Sequence, residues 1–128
     1  MFTLKEINEH DLGTHKHLII DHFLSLSKEE LFCRFFSRMS KENLHDWIDC
    51  YQKYPYQHHW FLLMLGEKII AISQVVYDQD IAETPFSVLS EFHQKGISKA
   101  LMNLGINKIK ADNKVKKIHV SFLYQNVN

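Results

Sequence analysis

The sequence lacks the features that would place it outside ordinary globular domains. No apolar stretch approaches the roughly 18 residues that a membrane-spanning helix needs, so none of the 128 residues belongs to a candidate span. The only cysteines are Cys33 and Cys50, too few for a disulfide scaffold, and no charged n-region leads into an apolar core and a cleavage site. Two buried, unreactive thiols in a cytoplasmic protein are expected. Four glycines and two prolines are too few for a fibrous or disordered chain. The nine histidines form no His-Glu-x-x-His pattern, and the cysteines no Cys-x-x-Cys, so no metal site is expected. The net charge is zero, and the lysines are not interleaved with aromatics, so no nucleic-acid partner is expected.

What remains is 45% hydrophobic and 12% aromatic, enough to bury one core, and a single domain over 1–128 is expected. Phe2 to Ile7 alternates apolar and polar residues, the period of a half-buried strand. Past Asp11, helical spacing of Leu12, Leu18, Ile19, His22 and Phe23 predicts a helix to about Leu24. Ser27-Lys28-Glu29-Glu30 is a capping box opening a second helix that presents Leu31, Phe32, Phe35 and Phe36. Ser40 caps a third, with Leu44, Trp47, Ile48 and Tyr51 on one face. Beyond Tyr54-Pro55-Tyr56 the pattern turns to strands. Trp60–Leu65 and Lys68–Tyr77 flank Gly66-Glu67, and a Gly-X pair suits a two-residue type II′ turn. An extended stretch from Ala82 to Leu89 leads to a turn and a helix from about Gly96 to Ala111, with Ile97, Leu101, Leu104 and Ile109 inward. Lys117–Tyr124 alternates as the last strand. A strand-helix-strand ending after a hairpin predicts a mixed sheet with helices on its faces, an α/β fold.

Charge is uneven along the chain. Fourteen of the 15 acids lie at or before Glu91, whereas seven of the 15 Lys and Arg residues follow His93. That basic tail contains the turn His93-Gln94-Lys95-Gly96-Ile97-Ser98, between a strand and a helix. The unpaired amides of Gln94, Lys95, Gly96, Ile97 and Ser98 would meet at a helix N-terminus, whose dipole favours an anion. Gly96 permits close approach of a phosphate, and Lys95 and Lys99 add positive charge.

This segment resembles motif A of the GNAT superfamily of N-acetyltransferases, Arg/Gln-x-x-Gly-x-Gly/Ala, with His93 in the Arg/Gln place and Ser98 in the last. The resemblance continues through Phe23 to Glu30 with Arg34-Phe35, the hairpin at Gly66-Glu67, and Lys117 to Asn126. It implies a GNAT-like acyl-CoA N-acyltransferase fold, shortened at the C-terminus, that moves an acetyl group from acetyl-CoA to an amine of a small molecule or protein. The co-substrate site it implies comprises Val88, Leu89, Ser90, His93, Gln94, Lys95, Gly96, Ile97, Ser98, Lys99 and Asn126, with backbone at Val88, Leu89 and Ser90 pairing with pantetheine and donating to an oxyanion. Glu83 is the candidate general base, with His119 and Tyr124 as further cleft candidates on opposite faces. The resemblance leads to the expectation of a further helix and strands after the fifth strand, supplied by a homodimer that completes the acceptor side, or else of a non-catalytic acyl-CoA-binding regulatory module.

Overall fold

A computed structural model describes residues 1–53, 57–113 and 116–119. Strand β1 (Phe2–Asn8) is followed by three helices, α1 (Leu12–Leu24), α2 (Lys28–Phe35) and α3 (Lys41–Lys53). The hairpin β2 (His58–Leu65) and β3 (Lys68–Asp78) comes next, then β4 (Ile81–Glu83), β5 (Phe86–Val88), α4 (Ile97–Asp112) and β6 (Lys117–His119). The strands form one sheet in the order β1-β2-β3-β4-β6, with β5 also on β3. All pairings are antiparallel except β4 with β6, which is parallel and bridged by α4. The fold is the mixed α/β sheet that the sequence predicts. Residues 120–124, expected to continue the last strand, and Asn126 lie outside the described residues.

Local chemistry explains the joints. Gly66 takes φ 63° at the hairpin tip, the positive value that a side chain would resist. The capping box at α2 forms as read, with the Glu30 amide donating to Ser27 Oγ at 3.1 Å and the Ser27 amide to Glu30 Oε1 at 3.0 Å. The stretch read as one strand from Ala82 to Leu89 is split at Thr84-Pro85. Its register against β3 is unbroken, Val76 facing Glu83 and Ser73 facing Phe86, and the Gln74 amide still donates to the Pro85 carbonyl at 2.9 Å. Proline has no N–H to return the bond, so the ladder lapses there.

Alternate strand residues feed two cores. Trp60, Leu62, Ile69 and Ile72 pack with α1 and α3 on one face, while Phe61, Ala71 and Val75 face α4. Ile69 and Ile72 share a face although three apart, because the pairing steps from Leu63–Ala71 to Met64–Ile69 and leaves Ile70 as an extra residue, a β-bulge. Three expectations need correction. Phe32 and Phe36, placed with Leu31 and Phe35 on the second helix, are 48% and 65% exposed, and the helix ends at Phe35, with Phe36 at φ 55° as its cap. Cys33 is half-buried and Cys50 exposed, so neither is a core thiol. The last helix begins at Ile97, with Gly96 as its cap.

The bulge also anchors His22. A carbonyl only accepts, so His22 Nδ1–H donates to the Ile69 carbonyl at 2.9 Å, and Nε2 accepts from Ser87 Oγ at 2.8 Å. This ties α1 to β3 and β5. Burial is the main reason the His22 pKa falls to about 4, despite the Ile69 bond. The unfolded chain, with the ordinary value near 6.5, binds the proton first. Stability is therefore complete above about pH 6.5 and falls with pH through to about 4. Denaturant unfolding is expected to show a loss of roughly 3 kcal/mol over that window from this residue. His22→Gln should have a correspondingly flatter profile, and an equal slope would refute the assignment.

Helix α4 sits unusually close to the sheet. A Cβ on Gly105 would lie 2.1 Å from Thr84 Oγ1, so only glycine permits this approach. Tyr77 donates to Asp112 at the far end of α4, and Ser73 Oγ reaches the Leu101 carbonyl at 3.3 Å. These contacts fix where the N-terminus of α4 points.

Candidate functional site

The N-terminus of α4 is left open in a way that α2 and α3 are not. At α2 the Ser27–Glu30 box satisfies the first donors, and at α3 Ser40 and Asn43 exchange equivalent bonds of 3.0 and 3.1 Å. At α4 the cap residue is Gly96, no side chain caps it, and no acid stands in the first turn. The first helical bond runs from the Ala100 amide to the Gly96 carbonyl, so the amides of Gly96, Ile97, Ser98 and Lys99 precede the intrahelical ladder. Gly96 holds φ 76° and ψ 5° ahead of helical Ile97, an αL–αR succession that turns neighbouring N–H groups toward one concavity. A Cβ on Gly96 would meet no atom within 4 Å. Gln94 also takes positive φ, 63°, and Gln94, Lys95, Gly96 and Lys99 are exposed. The concavity can accept a phosphate.

Before this turn lies the edge of β5. Among the described residues β5 pairs on its β3 side alone. The Leu89 amide donates to Ile70 at 2.9 Å and the Leu89 carbonyl accepts from Phe92. Both Leu89 backbone groups are thus occupied, which corrects the expectation that they meet pantetheine. Alternation turns the groups of Phe86 and Val88 to the open edge. The turn is also longer than expected, because a single 3-10 turn over Ser90–Phe92 separates β5 from the cradle.

That extra turn forms a polar knot. His93 Nε2 donates to the Val88 carbonyl at 2.9 Å and lies 3.3 Å from Glu30 Oε2. Ser90 Oγ donates to Glu30 Oε1 at 2.7 Å. Burial alone would raise the Glu30 pKa, but hydrogen bonds from Ser90 and Ser27 and the nearby His93 outweigh it and hold it below its usual value. The His93 ring therefore braces the turn against α2, and its backbone amide is taken by Ser90. Sequence reading identified Glu30 only as a helix cap.

On the α1–α3 side of β4 a cavity of about 250 Å³ is lined by Arg34, Tyr51, Val76, Glu83, Pro85 and Phe86, among others. Glu83 is exposed there, and its backbone faces His119 across the parallel pair. Arg34 was singled out only within the resemblance. Its guanidinium carbon stands 4.7 Å above the Phe35 ring and 5.5 Å above Trp47, and Nη2 donates to Gln74 Oε1 at 2.7 Å. Burial pushes its pKa down to about 10, partly offset by Tyr51 and Glu83. It stays charged at neutral pH.

A mixed sheet with an open strand edge, an uncapped basic helix N-terminus beyond it and a carboxylate-bearing cavity beside it is an α/β arrangement able to seat a phosphate-bearing ligand. A model of the acetyltransferase (GNAT) family matches residues 22–128, most of the chain, and the protein belongs to that family. Three solved structures share the fold. A possible acetyltransferase from Clostridium difficile 630 aligns with a TM-score of 0.63 at 15% identity, over 100% of this chain and 84% of that one. A predicted acetyltransferase from Clostridium acetobutylicum, solved with acetyl-CoA, gives 0.69 at 11% identity, over 99% and 84%. AAC(6′)-Iy in complex with the bisubstrate analogue CoA-S-monomethyl-acetylneamine gives 0.61 at 14% identity, over 98% and 82%. At such identities the likeness carries the fold alone. No curated protein matches the sequence. Among the described residues no helix is long and apolar enough to cross a membrane.

Proposed function

We propose that the protein is an N-acetyltransferase that moves the acetyl group of acetyl-CoA to an amine by direct attack. The observation that carries this reading is the open N-terminus of α4, whose free amides and flanking Lys95 and Lys99 suit a pyrophosphate. The bound acetyl-CoA and CoA analogue in two structures of the same fold support it. In this reading the amides of Gly96, Ile97, Ser98 and Lys99 hold the pyrophosphate, with Gln94 and Lys95 at the rim. The open edge of β5 receives the pantetheine, with the Val88 carbonyl already held by His93 and its amide left for the thioester.

The thioester supplies an activated acyl carbon; the new C–N bond forms as the C–S bond breaks and the thiolate takes up a proton. Attack needs a neutral amine. Glu83, facing the cavity, accepts the ammonium proton directly or through water. The Val88 amide, on the open edge, donates to the developing oxyanion. His93 acts by positioning, because its bond to the Val88 carbonyl and its contact with Glu30 hold the 3-10 turn that aims the cradle.

Thermal melting with a panel of CoA thioesters tests the reading, since a ligand that binds only the folded state raises apparent stability by RT ln(1 + [L]/Kd). Acetyl-CoA at about 100 times its Kd should add about 2.7 kcal/mol. No stabilisation by any thioester would contradict it.

A further inference from the structure

The cavity beside Glu83 contains an unbalanced set of hydrogen-bond donors. Arg34 makes no ion pair with any described carboxylate. The residue as a whole is half-buried, with its guanidinium desolvated, stacked on Phe35 and Trp47, and bonded to Gln74 Oε1 as its described polar partner. A guanidinium can only donate, so the Gln74 side chain must turn its oxygen to Arg34 and its NH2 away. That NH2 is fully buried, and no described group accepts from it. Among the described residues this desolvated cation has no carboxylate within ion-pairing distance, only the longer-range field of Glu83, and it lies next to an unanswered amide donor, a costly arrangement for a fold to keep. The same cavity is lined by a carboxylate, Glu83, whose charge favours the Arg34 cation. Its lining thus offers a positively charged set of donors together with one negative charge.

We propose that Arg34, supported by Gln74, is a carboxylate-binding subsite, and that the acceptor is a small molecule carrying both an amine and a carboxylate, as an amino acid does. The carboxylate takes the guanidinium fork, which offers paired N–H donors in a plane, while the ammonium points to Glu83. The rings under Arg34 hold its fork in one orientation, lowering the entropy lost on binding. The volume, about 250 Å³, falls just below the usual range for drug-sized ligands and favours a compact acceptor. The role given to Glu83 rests on the acetyl-transfer reading; the carboxylate subsite does not.

The test measures binding of matched pairs by calorimetry, with and without CoA: glycine, 4-aminobutyrate and 6-aminohexanoate, each against its own carboxamide. At least one amino acid should bind ten times more tightly than its amide. Arg34→Met, which keeps the length and stacking, should erase the difference, and Arg34→Lys should restore part of it. Gln74→Glu provides a second route, because it supplies the missing counter-ion from within: it should raise the melting temperature and also abolish the preference. Equal binding of acid and amide throughout the panel, or a preference that survives Arg34→Met in a protein with unchanged melting, overturns the proposal. Because binding is read apart from turnover, a failure to bind acetyl-CoA would sink the transfer reading and leave this outcome separate.

Discussion

Gly96→Trp is expected to weaken acetyl-CoA binding at least about 100-fold, equivalent to roughly 2.7 kcal/mol. The open space over Gly96, where a Cβ would meet no atom within 4 Å, is the place the pyrophosphate would take, and an indole there removes it. Trp also strains a residue held at φ 76°, at a cost on the order of 1–3 kcal/mol, so reduced stability could imitate a binding defect. Gly96→Asn separates the two, since Asn tolerates the left-handed region. It should melt close to the wild type and still bind acetyl-CoA weakly. Wild-type affinity in both variants would mean that the cradle is not the phosphate site.

Glu83→Gln is expected to lower kcat by roughly 10²–10⁴, the usual range for loss of a general base, with acetyl-CoA binding unchanged because the cavity lies apart from the cradle. The deficit should narrow as pH rises toward the ordinary ammonium pKa of about 10.4, where the acceptor becomes neutral without help. A deficit independent of pH would indicate that Glu83 positions the acceptor and does not take its proton. Glu83→Gln also removes the carboxylate whose field favours the Arg34 cation in the same cavity, so melting curves of the variant need checking first.

Features set by neighbours in sequence were legible, and features set by neighbours in space were not. The turn at Gly66-Glu67 and the Ser27–Glu30 box depend on a few consecutive residues, and each forms where the sequence predicts, while Gly96, read as the first residue of the last helix, is its cap. The GNAT resemblance rested on such a segment and agrees with the family match. Pro85 was visible as a residue, but not that it sits where β3 expects a returning N–H. The second life of Glu30 could not be read, because Ser90 and His93 reach it from sixty or more positions away. The same holds for His22, whose ring looked like part of an apolar helix face until the bulge at Ile70 placed the Ile69 carbonyl against it. Leu89 shows the limit of analogy: alternation assigns its N–H to Ile70 and leaves the Val88 amide at the open edge. Arg34 could have drawn attention as a lone cation among Phe32, Phe35 and Phe36, a composition suited to stacking. That no described carboxylate stands within ion-pairing distance of it is a fact of three dimensions.

The most direct test of the central claim, an acyl-CoA pyrophosphate held by the open end of α4, is an acetyl-CoA titration followed at each backbone amide by ¹⁵N–¹H NMR. The largest shifts are expected at Gly96, Ile97, Ser98 and Lys99, with Val88 moving and Leu89, already bonded to Ile70, nearly still. Saturable binding that leaves those four amides unmoved, or no binding at all, would contradict it.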